Sequence, residues 1–300
     1  MIPGDIVFYR PETVAEAVEA WSGATDADRQ PCYFSGGTEI VTLAREGKQT
    51  PTDVVDLKAI PGARSLETGK TRVTLGAALT LNAVTDAGIS GLVGYCAAGV
   101  ADRTVRNSIT LGGNICGMLP YREAVLPFLL MDGRVELAGP EGTRWEPVQE
   151  VFRKKLALRN GEFALRFDFD AELVVGIDES PVSSVHVPAY GTVEASGQGP
   201  RGGWFYHRRT AESRVDYPVT TVAMVKVDGE LRLAVTGTWG YPHRAVEAEE
   251  ALREAGARAE TLVDAVPLKV KEDIRAGRDY RRALTVEAVA RGLAALEMVR

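Results

Sequence analysis

The spacing of apolar residues near the N-terminus switches between two periods. Val14, Ala15, Val18 and Trp21 recur on one helical face behind Pro11 and Glu12, which predicts a helix over 11–21. A short apolar run at 31–34 reads as a buried strand, 38–46 as a helix and 52–57 as a second strand. Strand, loop, helix and strand in that order make a small α/β unit. Its loop falls at the carboxyl end of a strand, where ligands of such sheets usually bind. Farther along, 73–78 is strand-like, a helix is expected to start at 80–84, and 92–105 reads as one continuous apolar helix. An apolar helix follows over 124–131, then a strand over 133–138 closed by glycines at 139 and 142, and a last strand over 172–177.

Beyond residue 178 the pattern dissolves into Ser, Pro, Gly and Val, with glycines at 197, 199, 202 and 203, so 179–203 is expected to be a linker. Two apolar runs at 220–227 and 230–236 then flank Asp228-Gly229, the pattern of a β-hairpin. Residues 245–255 and 286–299 read as amphipathic helices. The expected organisation is a 1–178 domain of two α/β lobes (about 1–60 and 61–178), the linker, and a smaller α+β domain over 204–300.

Composition narrows the function classes. Apolar residues make up 45% and charged residues 25% of 300, and no apolar run approaches the ~20 residues of a membrane span. A net charge of −6 without a basic stripe argues against a nucleic-acid partner. No basic segment leads into an apolar stretch at the N-terminus, so the cytoplasm is the expected location. Cys32, Cys96, Cys116 and His186, His207, His243 are too scattered to supply the roughly four converging ligands of a structural zinc or iron–sulfur site. No metal site is expected, and the absence of a Gly-x-Ser-x-Gly elbow, a His-Glu-x-x-His helix or a Walker loop leaves no catalytic residue to assign.

Two short segments carry the candidate chemistry. Ser35, Gly36, Gly37, Thr38 and Glu39 follow the strand at 31–34, and Thr110, Leu111, Gly112, Gly113, Asn114 and Ile115 follow Val105-Arg106-Asn107-Ser108-Ile109. Each sets a glycine pair beside Thr or Asn, so backbone N–H groups can approach an anion closely while small side chains add donors. Spacing alone leaves both as either ordinary strand-to-helix turns or the two halves of a diphosphate cradle.

With these residues the chain resembles the FAD-binding (medium) subunits of the molybdenum hydroxylases, the family of carbon monoxide and xanthine dehydrogenases. Its first loop is similar to that family's Ala-Gly-Gly-Thr-Asp pattern, with Ser35 and Glu39 at its ends, and its second to the pattern Arg-Asn-x-x-Thr-Ile-Gly-Gly-Asn-Ile, with Leu111 in place of Ile. The resemblance runs nearly the length of the chain. It implies an α+β, vanillyl-alcohol-oxidase-type FAD-binding fold of two lobes with a small C-terminal domain. It implies one FAD, held without covalent attachment by Ser35, Gly36, Gly37, Thr38, Glu39, Arg106, Thr110, Gly112, Gly113, Asn114 and Ile115. Ala77 and Thr80 stand in a stretch similar to the family's Gly-Ala-x-Thr-Thr near the flavin, and Glu123 stands where the family usually carries an Asp on the flavin's sugar-alcohol chain. Departures are Glu123 itself, which has a longer reach than Asp, and Leu119, where Ser is common.

The implied function is an oxidoreductase subunit. Electrons would pass from a molybdopterin-binding large subunit through a 2Fe–2S small subunit to this FAD and on to NAD or another acceptor. A free-standing FAD-dependent oxidoreductase of the same fold would need its own general acid or base, and none is evident. A degenerate flavin fold kept as a scaffold would not need intact glycine loops.

Overall fold

The computed structural model describes residues 4–89, 91–174, 190–199, 201–258 and 270–298. The N-terminal lobe consists of β1 (Val7–Tyr9), α1 (Val14–Asp26), β2 (Pro31–Phe34), α2 (Thr38–Arg45) and β3 (Asp53–Asp56), with a parallel sheet in the order β1-β3-β2. The central strand is buried at all four positions, as a parallel strand covered on both faces should be. Helix α1 starts later than its apolar spacing suggests. Thr13 caps it by accepting the Glu16 N–H, which leaves Pro11 and Glu12 outside.

The second lobe contains β4 (Leu66–Thr68), β5 (Arg72–Gly76), α3 (Leu81–Asp86), α4 (Gly91–Ala98), α5 (Arg103–Arg106), α6 (Leu111–Cys116), α7 (Leu126–Leu130), β6 (Arg134–Gly139), β7 (Gly142–Pro147) and β8 (Phe163–Asp170). Its antiparallel sheet runs β4-β5-β8-β6-β7. The single helix expected over 92–105 is broken into α4 and α5. Ala101 adopts a left-handed φ of 49°, and the Arg106 guanidinium takes the carbonyls of Ala98, Val100 and Ala101, on which a continuing helix would depend. The strand expected at 172–177 lies earlier. β8 is the central strand, residues 171–174 form a helical turn, and 175–177 fall outside the described residues. Charged Arg166 and Asp168 interrupt the apolar run of β8. In the fold Asp168 is buried and accepts hydrogen bonds from both Arg72 and Arg134.

The C-terminal lobe is an antiparallel sheet of β9 (Tyr190–Gly199), β10 (Gly202–Ser213), β11 (Pro218–Val227), β12 (Glu230–Thr236) and β13 (His243–Arg244), with α8 (Val246–Glu254) and α9 (Arg278–Ala295). β9 occupies part of the expected linker. Its glycines hid a strand because one of them makes room for an aromatic neighbour: a Cβ on Gly197 would sit 2.6 Å from the Trp204 indole nitrogen. The hairpin forms where expected, with positive φ at Asp228 and Gly229. Helix α9 begins before residue 286, because its buried face starts at Arg281. That guanidinium is fully buried and donates to the carbonyls of Val219 and Gly237 and to Asp273.

Alternation along these strands joins the lobes. Trp204, Tyr206, Ala223 and Val225 belong to the core of the second lobe, whereas Phe205, Val222, Met224, Leu233 and Val235 pack with residues of α8 and α9. One sheet is therefore buried on both faces and forms a wall of the lobe that carries the second glycine loop. No helix among the described residues is long and apolar enough to cross a membrane.

Candidate functional site

The first glycine loop leaves β2 and enters α2. Gly37 caps the helix with φ 70° and ψ 0°, a conformation costly for any residue with a Cβ, and a Cβ there would also strike the Phe34 ring at 2.1 Å. Gly36 has a different reason to be glycine. A Cβ on it would lie 2.0 Å from the Ser108 carbonyl oxygen, so the two loops touch through their backbones.

The second loop is tied to the same place by regular hydrogen bonds. Gly112 N–H donates to Ala77 O at 2.8 Å, Leu111 N–H to Leu79 O at 2.9 Å, and Leu81 N–H to Ile109 O at 2.9 Å. Thr80 and Thr110 pair as an isolated bridge, and each caps a helix, accepting from the N–H of Ala83 at 3.1 Å and of Gly113 at 3.2 Å respectively. Glu39 closes the arrangement: its carboxylate accepts the Met118 N–H at 3.0 and 3.1 Å, holding the exit of the second loop against α2. Three segments distant in sequence thus form one surface, with Thr38 and Gly113 exposed on it.

Two polar atoms on this surface have no protein partner. Ser35 Oγ and Asn114 Oδ1 are buried without a hydrogen bond, one in each loop. Buried polar atoms are ordinarily satisfied, so this pair marks where a polar ligand group fits. The donor set suits a diphosphate and a polyol: flexible glycine backbone, the first turn of α2, and small hydroxyl and amide side chains. Positive charge is sparse. A fixed cation beside the first loop is Lys58, missed in the sequence, whose Nζ donates to Ser35 O at 2.8 Å and to Asp56 at 2.6 Å and sits 4.7 Å from the Phe34 ring centroid.

Four expected site residues are buried. Arg106 is buried, its guanidinium used by three carbonyls and Asn82 Oδ1, and burial lowers its pKa. Ala77 is buried beneath Gly112, where a Cβ would come within 2.6 Å of its own Cβ, and it acts through its backbone carbonyl. Ile115 lies wholly in the second-lobe core. Glu123 is buried, and its Oε1 accepts from Arg208 Nε at 2.9 Å, Thr221 Oγ1 at 2.8 Å and the Tyr206 hydroxyl at 3.4 Å.

The remaining chemistry is quiet. Among the described residues no group of His, Cys, Asp and Glu could hold a metal ion. Burial pushes the thiols of Cys32 up to about 11 and Cys116 up to about 12, and raises Cys96 well above its ordinary value, so none is a ready nucleophile. Burial likewise lowers His207 to about 4, which keeps it neutral.

The chain is similar over 96% of its length to the xanthine dehydrogenase FAD-binding subunit of Escherichia coli O157:H7, with 24% identity over 96% of that protein. It is similar over 98% of its length to the carbon monoxide dehydrogenase medium chain of Hydrogenophaga pseudoflava, with 24% identity over 97% of that protein. Among solved structures, the carbon monoxide dehydrogenase of Hydrogenophaga pseudoflava contains a chain that superposes with a TM-score of 0.74 at 23% identity, covering 100% of both chains. A chain of quinoline 2-oxidoreductase from Pseudomonas putida 86 also gives 0.74, at 18% identity, over 99% of this chain and 98% of that one. Residues 4–169, more than half of the chain and the whole two-loop surface, match the FAD binding domain in molybdopterin dehydrogenase, and the chain belongs to that family.

Proposed function

We propose that this chain is the FAD-binding electron-transfer subunit of a heteromeric molybdenum hydroxylase. In this reading it takes electrons from a 2Fe–2S small subunit, itself fed by a molybdopterin-binding large subunit, and passes them through FAD to NAD or another acceptor. Residues 1–178 carry the flavin and the C-terminal sheet, counted from β9, walls them. The single observation that carries the reading is the pair of unpartnered buried atoms, Ser35 Oγ and Asn114 Oδ1, on two glycine loops in backbone contact.

FAD supplies the redox chemistry and the protein holds and tunes it. Gly37 and Gly113 let the backbone approach the diphosphate, while Gly36 allows the two loops to touch and Gly112 packs on Ala77. The first-turn N–H groups at Thr38 and Glu39 offset its charge, Ser35 and Asn114 supply side-chain hydrogen bonds, and Thr80 and Thr110 fix the helix starts that shape the cradle. No acid or base is needed in this chain, because its task is electron transfer and not substrate activation.

Protein purified after adequate flavin supply should carry one FAD per chain, released by acid precipitation. Alone it should show at most transfer from NADH to artificial dyes. Steady oxidation of purines, aldehydes or N-heterocycles by the isolated chain would overturn the relay reading, and failure to take up added FAD would overturn the whole.

A further inference from the structure

Glu123 and Arg208 form a buried ion pair, exposed by 1% and 2%, that bridges the second lobe and the C-terminal sheet. Its surroundings tie it to the second glycine loop from both ends. On the far side of the loop, the neighbouring Arg122 donates to the carbonyls of Gly117 at 2.7 Å and Ile115 at 3.3 Å, so the segment that carries Glu123 grips the end of α6. On the near side, Arg106 grips the turn 98–101, and that turn sits on the same ion pair. A Cβ on Gly99 would lie 2.5 Å from the Tyr206 hydroxyl and 3.3 Å from both Glu123 Oε1 and Arg208 Cδ.

The pair is also built into the C-terminal sheet. Tyr206 and Thr221, on β10 and β11, donate to the same carboxylate oxygen as Arg208. The other nitrogens of Arg208 donate to the carbonyls of Arg214 at 2.8 Å and Asp216 at 2.6 Å, which fixes the β10–β11 turn. Tyr217 of that turn stacks on Tyr121, two residues before Glu123, with ring centroids 5.0 Å apart. Segment 117–123, Arg208 and the β10–β11 turn therefore close on one another.

We propose that Glu123 is a positioning residue and not a ligand: its ion pair with Arg208 latches the C-terminal sheet to the second glycine loop and presets that loop for FAD. The inference rests on the FAD-binding reading above. A loop already held in its bound shape loses less freedom when the ligand arrives, so the latch contributes affinity without touching the cofactor. Arg208 should then matter as much as Glu123, and the exact length of the carboxylate side chain should matter because it spans to β10.

The test compares Glu123→Gln, Glu123→Asp and Arg208→Lys with Glu249→Gln, which disturbs a partly buried pair, Arg244–Glu249, in the C-terminal lobe. Wild-type FAD affinity, measured first by flavin fluorescence, separates failure of the functional reading from failure of the latch. With FAD binding in hand, each of the three latch variants should raise Kd by roughly 5- to 150-fold, the range of ordinary coupling between sites. The Glu123→Gln/Arg208→Lys double variant should add little to either single one, and Glu249→Gln should leave Kd unchanged while lowering the melting temperature. In the FAD-free protein, amide hydrogen exchange over 111–118 should speed up in Glu123→Asp and not in Glu249→Gln, an arm that needs no cofactor. Should single variants fail to fold, the Glu123→Met/Arg208→Met double variant keeps the volume apolar, and it too should bind FAD more weakly. Wild-type affinity in Glu123→Asp or in Arg208→Lys would make the carboxylate a direct ligand or a bystander. An effect no larger than that of Glu249→Gln would reduce the pair to ordinary stability. Any of these overturns the latch.

Discussion

The two glycine loops share a sequence pattern and differ in why they need glycine. In the first, Gly37 requires a left-handed backbone and Gly36 requires contact with the Ser108 carbonyl. In the second, neither Gly112 nor Gly113 has a positive φ; Gly112 is buried on Ala77, and Gly113 is exposed at the start of α6 with only the Thr110 hydroxyl beside it. One glycine pair thus serves backbone conformation and loop-to-loop contact, the other close packing and an open surface. The same two letters carry four physical constraints, and substitutions should separate them.

The largest effect is expected at the contact between loops. Gly36→Val places branched carbon against a backbone oxygen that no rotamer can move, so the loops must part. FAD should be lost, and stability should fall by about 3 kcal/mol or more, read by denaturant unfolding. Retained FAD with unchanged stability would mean that the loops do not touch. Gly37→Ala should be next, costing about 1–2 kcal/mol for the left-handed backbone and shifting the Phe34 ring, with weaker FAD binding.

Gly113→Ala should reverse the ratio of the two readouts. Its backbone is ordinary and Ala favours helix by about 0.5–1 kcal/mol over Gly, which offsets a disturbed Thr110 cap of about 1 kcal/mol. Stability should hardly change while FAD affinity drops, because the added methyl stands on the ligand surface. Equal losses in both would place Gly113 with Gly112 as a packing residue. Opposite in sign in its effect on stability is Ser35→Ala. Removing a buried unpaired hydroxyl should stabilise the FAD-free protein by up to about 1 kcal/mol and weaken FAD binding at the same time. A melting temperature that falls without FAD would show that Ser35 Oγ already has a partner in the folded chain.

Much of this was legible along the chain because it depends on near neighbours. The glycine loops, the strand at 31–34, helix α2 and the Asp228-Gly229 hairpin each follow from residues a few positions apart, through backbone conformation and local periodicity. What eluded local pattern was set by distant partners. Arg166 and Asp168 look like breaks in a strand until Glu136, Arg72 and Arg134 pair with them, and the glycine-rich β9 looks like a linker until Trp204 lies across it.

The role of Glu123 shows the same division most plainly. Sequence places a carboxylate nine residues after Asn114, at a position suited to a ligand. Arg208, 85 residues away, decides that it is buried in an ion pair instead. Arg106, which the resemblance places among the FAD-holding residues, clamps the end of α4, because the carbonyls it meets are exposed only where that helix ends. Periodicity and turn chemistry determine which face a residue presents. What that face meets is a matter of how the lobes pack, and only the tertiary structure assigns a charged side chain its partner.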